Sequence, residues 1–431
     1  MTLAPAHDTD QATGRAGKGK ELGTPLYRNG AALALSGLLS AVLGAGFWVV
    51  AAHTTPRAAV GEATAMISAM AALSMIAQLN MGPAFAAFLP QAGYRRSSLV
   101  MGGTAVAMGL SLLLGAAFVL AAPRLSDSFG SLGDPLTGLF FTLSVAIWSL
   151  FALQDAALAG LRRATWVPLK SAGYNLSKFL ALVVVGGSVV ALLAAWIVPA
   201  AIAAALMGIP LVRRLLPTDE EPTPGTDARS FRRFLAGEST AMILDQIGVT
   251  LLPVLVVVLL GPSEAAPFGL IWMIVQALDV LVVNMGSSLI VEGAQPGADV
   301  RGMHRAMRRR MMLALAVVTG VAALGAPLWL KIFGSEYAED GSQLFRLLLL
   351  GSLGRAIVTL AICAARAERR IAWIVRVHLL LAVLVPGCAL TLGHIVGLEG
   401  IGLAWALSQW ATAFVVLASE ARSARGRAGG R

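Results

Sequence analysis

Twelve apolar runs of about twenty residues follow one another along the chain, each long enough to cross a bilayer as a helix. They fall at about 29–52, 60–82, 98–121, 135–160, 171–189, 191–212, 235–260, 266–291, 311–331, 343–365, 371–392 and 398–419. Inside lipid a backbone must satisfy its own hydrogen bonds, so runs of this kind permit helices and little else. The charged share of 13% agrees, because soluble domains carry about 25%. A mean hydropathy of +0.77 points the same way. The sequence predicts an all-α polytopic membrane protein.

The net charge of +10 is explained by where the charges lie. Arg15, Lys18, Lys20 and Arg28 precede the first run, and every second connection after it is basic. These connections hold Arg95 and Arg96; Arg162, Arg163 and Lys170; Arg213, Arg214, Arg229, Arg232 and Arg233. Farther on come Arg301, Arg305, Arg308, Arg309 and Arg310, then Arg366, Arg369 and Arg370, and a tail with Arg422, Arg425, Arg427 and Arg431. The opposite connections carry only Arg57, Arg124 and Lys331. By the positive-inside rule this alternation predicts both termini in the cytoplasm. Basicity then records topology and attraction to anionic membrane lipids, and no nucleic-acid partner is expected. Residues 1–27 are polar and lack an apolar stretch, which reads as a disordered cytoplasmic tail rather than a cleavable signal. Cys363 and Cys388 fall at different depths, so they are expected to pack rather than to pair.

The longest basic connection, residues 213–234, is rich in Pro, Thr and acidic residues, and six runs lie on either side of it. This predicts an N-terminal six-helix lobe (28–212), a cytoplasmic linker (213–234), a C-terminal six-helix lobe (235–420) and a basic tail (421–431). Halves of equal orientation relate by a pseudo-two-fold axis along the membrane normal. Asn occurs four times, and two copies open the tripeptide Asn-Met-Gly, at Asn80 and Asn284. Asn80 lies 24 residues after Pro56 and Asn284 lies 22 after Pro262. Matching place in matching helices predicts a repeat, with Asn80 and Asn284 as a pair flanking a central cavity.

No zinc spacing, nucleophile elbow, P-loop or dinucleotide fingerprint is present, and the outer connections are too short to hold a catalytic domain. Neither an enzyme nor a cofactor is expected. Chemistry is sought instead among polar groups within the spans, which cost several kcal/mol each and mark function by default. Lys178, Arg376, Glu62, Glu238 and Arg346 lie within about two turns of a span end and are expected to snorkel outward. Asp245, Asp279 and Arg355 have no such escape. They read either as a buried ion pair that fixes packing or as an ion-coupling site, with Glu238 extending an acidic stripe seven residues before Asp245. Arg28, Asn29, Gln78, Asn80 and Asn284 are the candidates for holding substrate.

RNGAALALSGLLSAVLGAGFWVVAAHT followed by IAQLNMGPAFAAFLP resembles the start of the bacterial polysaccharide-biosynthesis transporters. ALQDAALAGLRRATWVPLKSAGYNLSK and LLPVLVVVLLGPSEAAPFGLIWMIVQALDVLVVNMGSSLIVEGA resemble the fourth-to-fifth and seventh-to-eighth helices of actinobacterial-type members. These transporters belong to the multidrug/oligosaccharidyl-lipid/polysaccharide exporter superfamily. The resemblance implies two lobes in a V, alternating access, and a cavity lined by the first, second, seventh and eighth helices. It implies flipping of a lipid-linked oligosaccharide or surface-polysaccharide precursor, with Arg28 at the inner mouth of the first helix. Asp245 and Asp279 on cavity helices leave room for a cation-coupled multidrug antiporter of the same superfamily. A third reading is a non-transporting scaffold whose basic loops at 213–233 and 301–310 recruit surface-polymer biosynthesis enzymes.

Overall fold

The computed structural model describes residues 43–161, 163, 165–185, 187–222, 231, 235, 243–245, 249–293, 299–368 and 370–428. Fourteen helices follow one another there, with no strand among the described residues. In the first lobe these are α1 (Leu43–Thr54), α2 (Arg57–Ala77), α3 (Met81–Phe88), α4 (Arg96–Leu125), α5 (Pro135–Gly160), α6 (Trp166–Val185) and α7 (Val189–Pro210). In the second they are α8 (Leu252–Leu260), α9 (Pro262–Gly293), α10 (Val300–Leu324), α11 (Ala326–Leu330), α12 (Ser335–Ala367), α13 (Ile371–Val396) and α14 (Leu398–Ala428). Eight are long and apolar enough to cross a membrane. The chain is a multi-pass membrane protein of two six-helix lobes. Short α3 and α11 continue the spans begun by α2 and α10.

The two lobes meet along α2 and α9. A Cβ at Gly61 would overlap the carbonyl of Pro262 and crowd the Ala266 nitrogen, and one at Gly269 would strike Thr64. Small residues at these points let the backbones approach closely, as helix packing in lipid requires. Around the crossing Val60, Ala63, Met66, Ala266, Phe268 and Ile271 are buried. Trp272 stacks with Phe268 and meets Trp405 of α14 edge-on, with ring centroids 4.8 Å apart.

One end of this seam is tied by polar contacts. Arg57 donates through Nε to the Ser263 carbonyl at 2.9 Å. It also pairs with Asp340 at 2.5 Å and lies over the Tyr337 ring at 5.7 Å. Ser128 of the first lobe donates to the Val257 carbonyl of the second at 3.3 Å. The buried faces of both helices continue toward the other, basic end, where Ala72 and Ala77 of α2 are each 1% exposed. On α9, Phe268, Ile271 and Val275 in the first half and Val282 in the second are all buried.

The second span of the first lobe is not one helix. It stops at Ala77, passes through Leu79 (φ 47°) and Asn80 (φ 62°), and restarts as α3. Left-handed backbone is tolerated by Asn far better than by Leu. The cause is readable: Pro83 follows Asn80-Met81-Gly82, and in an unbroken helix its ring would clash with the Leu79 carbonyl four residues back. In the second lobe Ser287 takes the equivalent place and α9 runs through Asn284 without interruption. The two tripeptides therefore share position but differ in backbone.

The linker docks on the first lobe at this end. Tyr94 donates its backbone N–H to the Glu220 carbonyl at 2.8 Å, and Arg96 pairs with the Glu220 carboxylate at 2.7 Å. Phe231 stacks on Phe85 of α3 and meets Phe88 edge-on.

Candidate functional site

The deep charges of the second lobe converge. Arg355 sits twenty residues into α12, far from either helix end. Its Nη2 donates to Asp245 Oδ1 at 3.0 Å, and its Nε lies 3.4 Å from Asp279 Oδ1 on α9. Thr359, one turn farther along α12, donates to the same Asp279 oxygen at 3.5 Å. His378 of α13 adds a fourth group, with Nδ1 3.3 Å from Asp245 Oδ1. Three described helices and the short helical stretch 243–245 thus place two carboxylates, a guanidinium and an imidazole together.

Side-chain exposure separates these groups. Arg355 (8%) and His378 (4%) are sealed, whereas Asp245 (26%) and Asp279 (17%) remain partly open. The cation lies behind and the acids face outward. Arg355 is the cation that both carboxylates share. A void of about 10 Å³ touches Asp279, Arg355, Ser352 and Gln276. That is about the room one water needs.

Among its described residues the first lobe holds two buried cations, and neither behaves as its sequence position suggests. Lys178 was expected to snorkel, yet it is 2% exposed. Its ammonium lies 3.8 Å from the Trp196 ring centroid, with Tyr174 at 5.1 Å and Phe47 at 5.2 Å. The π faces of these rings take the place of a carboxylate. Lys170, read as a charge of a basic connection, lies inside α6 and pairs with Asp155 of α5 at 2.6 Å. It also donates to the Phe151 carbonyl at 2.6 Å.

Of the candidate amides, Gln78 stands apart from both groups. Gln78 ends α2 and donates to Ser74 Oγ at 3.1 Å. Asn80 occupies the left-handed turn before α3. Asn284 lies on the unbroken α9, beside Gly286, where a Cβ would strike Cys363 of α12. Arg28, Asn29 and Glu238 lie outside the described residues. Cys363 and Cys388 are both free thiols.

His378 and Asp155 were not singled out in the sequence. A signal existed for each, since His378 lies seven residues into an apolar run and Asp155 twenty into another. Their partners could not be read, because they come from other helices.

No protein-family model matches the sequence, and no curated protein matches it either. Solved structures do. The lipid II flippase MurJ, in an inward closed conformation, aligns over 90% of this chain and 86% of its own, with a TM-score of 0.73 at 11% identity. An inward-facing multidrug resistance MATE family transporter of the MOP superfamily aligns over 89% and 94%, with a TM-score of 0.69 at 16% identity. A MOP superfamily transporter from Pyrococcus furiosus gives 0.63 at 14% identity, over 91% and 94%. The chain has the two-lobe fold that these transporters share. Both flippase and multidrug transporter are represented among them.

Proposed function

We propose that the chain is an alternating-access transporter that moves a lipid-linked oligosaccharide or surface-polysaccharide precursor across the cytoplasmic membrane. The basic end, with both termini, faces the cytoplasm in this reading. The basic end of the α2–α9 seam is then the cytoplasmic side, and the Arg57 contacts close the outer side. Support comes from the shared fold and from the charge map.

One observation bears against an organic cation as the cargo. Asp245 and Asp279 are both engaged by Arg355, so the second lobe does not present two unclaimed carboxylates to a cationic drug. The partial exposure of the same acids keeps a second reading in play, in which they couple transport of another solute to a cation or proton gradient. The cluster serves either reading as the coupling site.

The experiment uses purified chain in proteoliposomes with a short polyprenyl-diphosphate oligosaccharide, scored by its accessibility on each leaflet, beside a parallel assay of organic-cation efflux. The first reading expects flipping well above empty vesicles and no cation efflux. Cation efflux without flipping, lost in Asp245→Asn and Asp279→Asn, would replace it with the second.

A further inference from the structure

A cavity of about 170 Å³ opens at the basic end of the second lobe, between α10, α12, α13 and α14. It is separate from the Arg355 cluster and draws on no first-lobe residue. Three guanidiniums line it, those of Arg305, Arg308 and Arg370. Two carboxylates balance them in part: Glu420 pairs with Arg308 at 2.7 Å, and Glu368 lies 3.4 Å from Arg370. Arg305 makes no ion pair among the described residues, so one positive charge is left over.

His304 points to a missing partner. It is 7% exposed, lines the same cavity, and its Nε2 has no hydrogen-bond partner among the described residues. Its Nδ1 faces Glu420 at 3.8 Å. A buried polar atom left unpaired costs free energy, which an occupant accepting its hydrogen bond would recover. Trp373 forms another wall, with the Arg370 guanidinium 5.3 Å from its ring centroid.

Depth identifies the occupant's chemistry. On α10 the charged stretch RGMHRAMRRR gives way to MMLALAVV at Met311, so the cavity lies where apolar span meets polar end. At that level the abundant anion is a phosphate group, and basic pockets between helices are suited to hold one. Arginine's planar fork matches phosphate oxygens in pairs.

We propose that this cavity is a phosphate-binding site, with Arg305 and His304 donating to the phosphate oxygens and Arg370 completing the pocket. The phosphate can come from an anionic lipid headgroup or from a soluble phosphate ester. The site stands independently of what the protein transports.

The test compares Arg305→Ala/Arg370→Ala with Arg309→Ala/Arg310→Ala, which removes equal charge from exposed arginines of α10 that do not line the cavity. Each is placed in nanodiscs of phosphatidylcholine with or without phosphatidylglycerol, and retained lipid is counted by native mass spectrometry. Detergent melting with inorganic phosphate against chloride at matched ionic strength forms the second arm. Phosphatidylglycerol retention should fall roughly five-fold per cavity arginine removed and hold in the surface pair. A phosphate-dependent melting shift without lipid retention, lost in the cavity pair, would assign the site to a soluble ester. Should the double variant not fold, Arg305→Gln carries the comparison against Arg309→Gln. Equal behaviour of cavity and surface variants in both arms would overturn the proposal.

Discussion

At the scale of single residues, Arg355 and Lys178 are two solutions to the same problem, a cation inside a membrane protein. Arg355 is balanced by Asp245 and Asp279, Lys178 by the rings of Trp196, Tyr174 and Phe47. Their variants should therefore differ in sign. Arg355→Met leaves two carboxylates without their cation, and breaking a buried pair this way costs about 3–5 kcal/mol. A large drop in detergent melting temperature is expected, partly restored by Asp279→Asn in the same chain. Restoration separates a charge effect from lost packing, which the second change would not repair. Lys178→Met removes a charge that pairs with no carboxylate among the described residues. Loss of cation–π attraction, about 2 kcal/mol, is offset by the desolvation no longer required. Its melting temperature should match or exceed wild type. A drop as large as that of Arg355→Met would mean that the ammonium has an anionic partner after all.

These residues also show what the sequence could and could not convey. The depth of Asp245, Asp279 and Arg355 within apolar runs was legible by counting, and the three do meet. His378 was missed because nothing local to α13 announces an acid on another element. Lys178 was misplaced because distance to a span end says nothing about whether aromatic rings block the way out. Tyr174 lies four residues before it on the same helix face, a clue available in the sequence. Trp196 and Phe47 come from other helices and were not. Arg28, Asn29 and Glu238 lie outside the described residues, so their assigned roles rest on the sequence reading.

At the scale of helices, the decisive features are a glycine crossing and a proline break. Gly61 of α2 faces the Pro262 carbonyl with no space for a Cβ, so the lobes touch there only while residue 61 is glycine. Gly61→Val should wedge this end open, and spin labels at Ala58 and Ser263 should report a longer, broader distance distribution than in Gly61. An unchanged distribution would show that the seam tolerates a side chain and does not depend on that contact. The break at Leu79-Asn80 follows from Pro83, whereas Ser287 lets the equivalent helix continue. Repeat position was legible from the shared tripeptide, but the fourth residue decided the backbone. Symmetry of sequence did not carry through to symmetry of shape.

For the whole molecule, the proposed transport cycle requires the α2–α9 seam to open at the end that Arg57 ties. The Arg57 contacts with Ser263 and Asp340 bridge the lobes at the end away from the basic residues. Exposed pairs of this sort contribute little stability each, so they can form and break within a transport cycle. The central claim is that opening at this seam is obligatory for transport. The most direct measurement introduces Ala58→Cys and Ser263→Cys into a chain with Cys363 and Cys388 replaced by Ser, then compares proteoliposome flipping of polyprenyl-diphosphate oligosaccharide before and after bridging with a short disulfide-containing, thiol-reactive cross-linker. Flipping should stop when the bridge forms and return when reductant cleaves it, with single-cysteine controls unaffected. Flipping at an undiminished rate across a fully bridged seam would contradict the account.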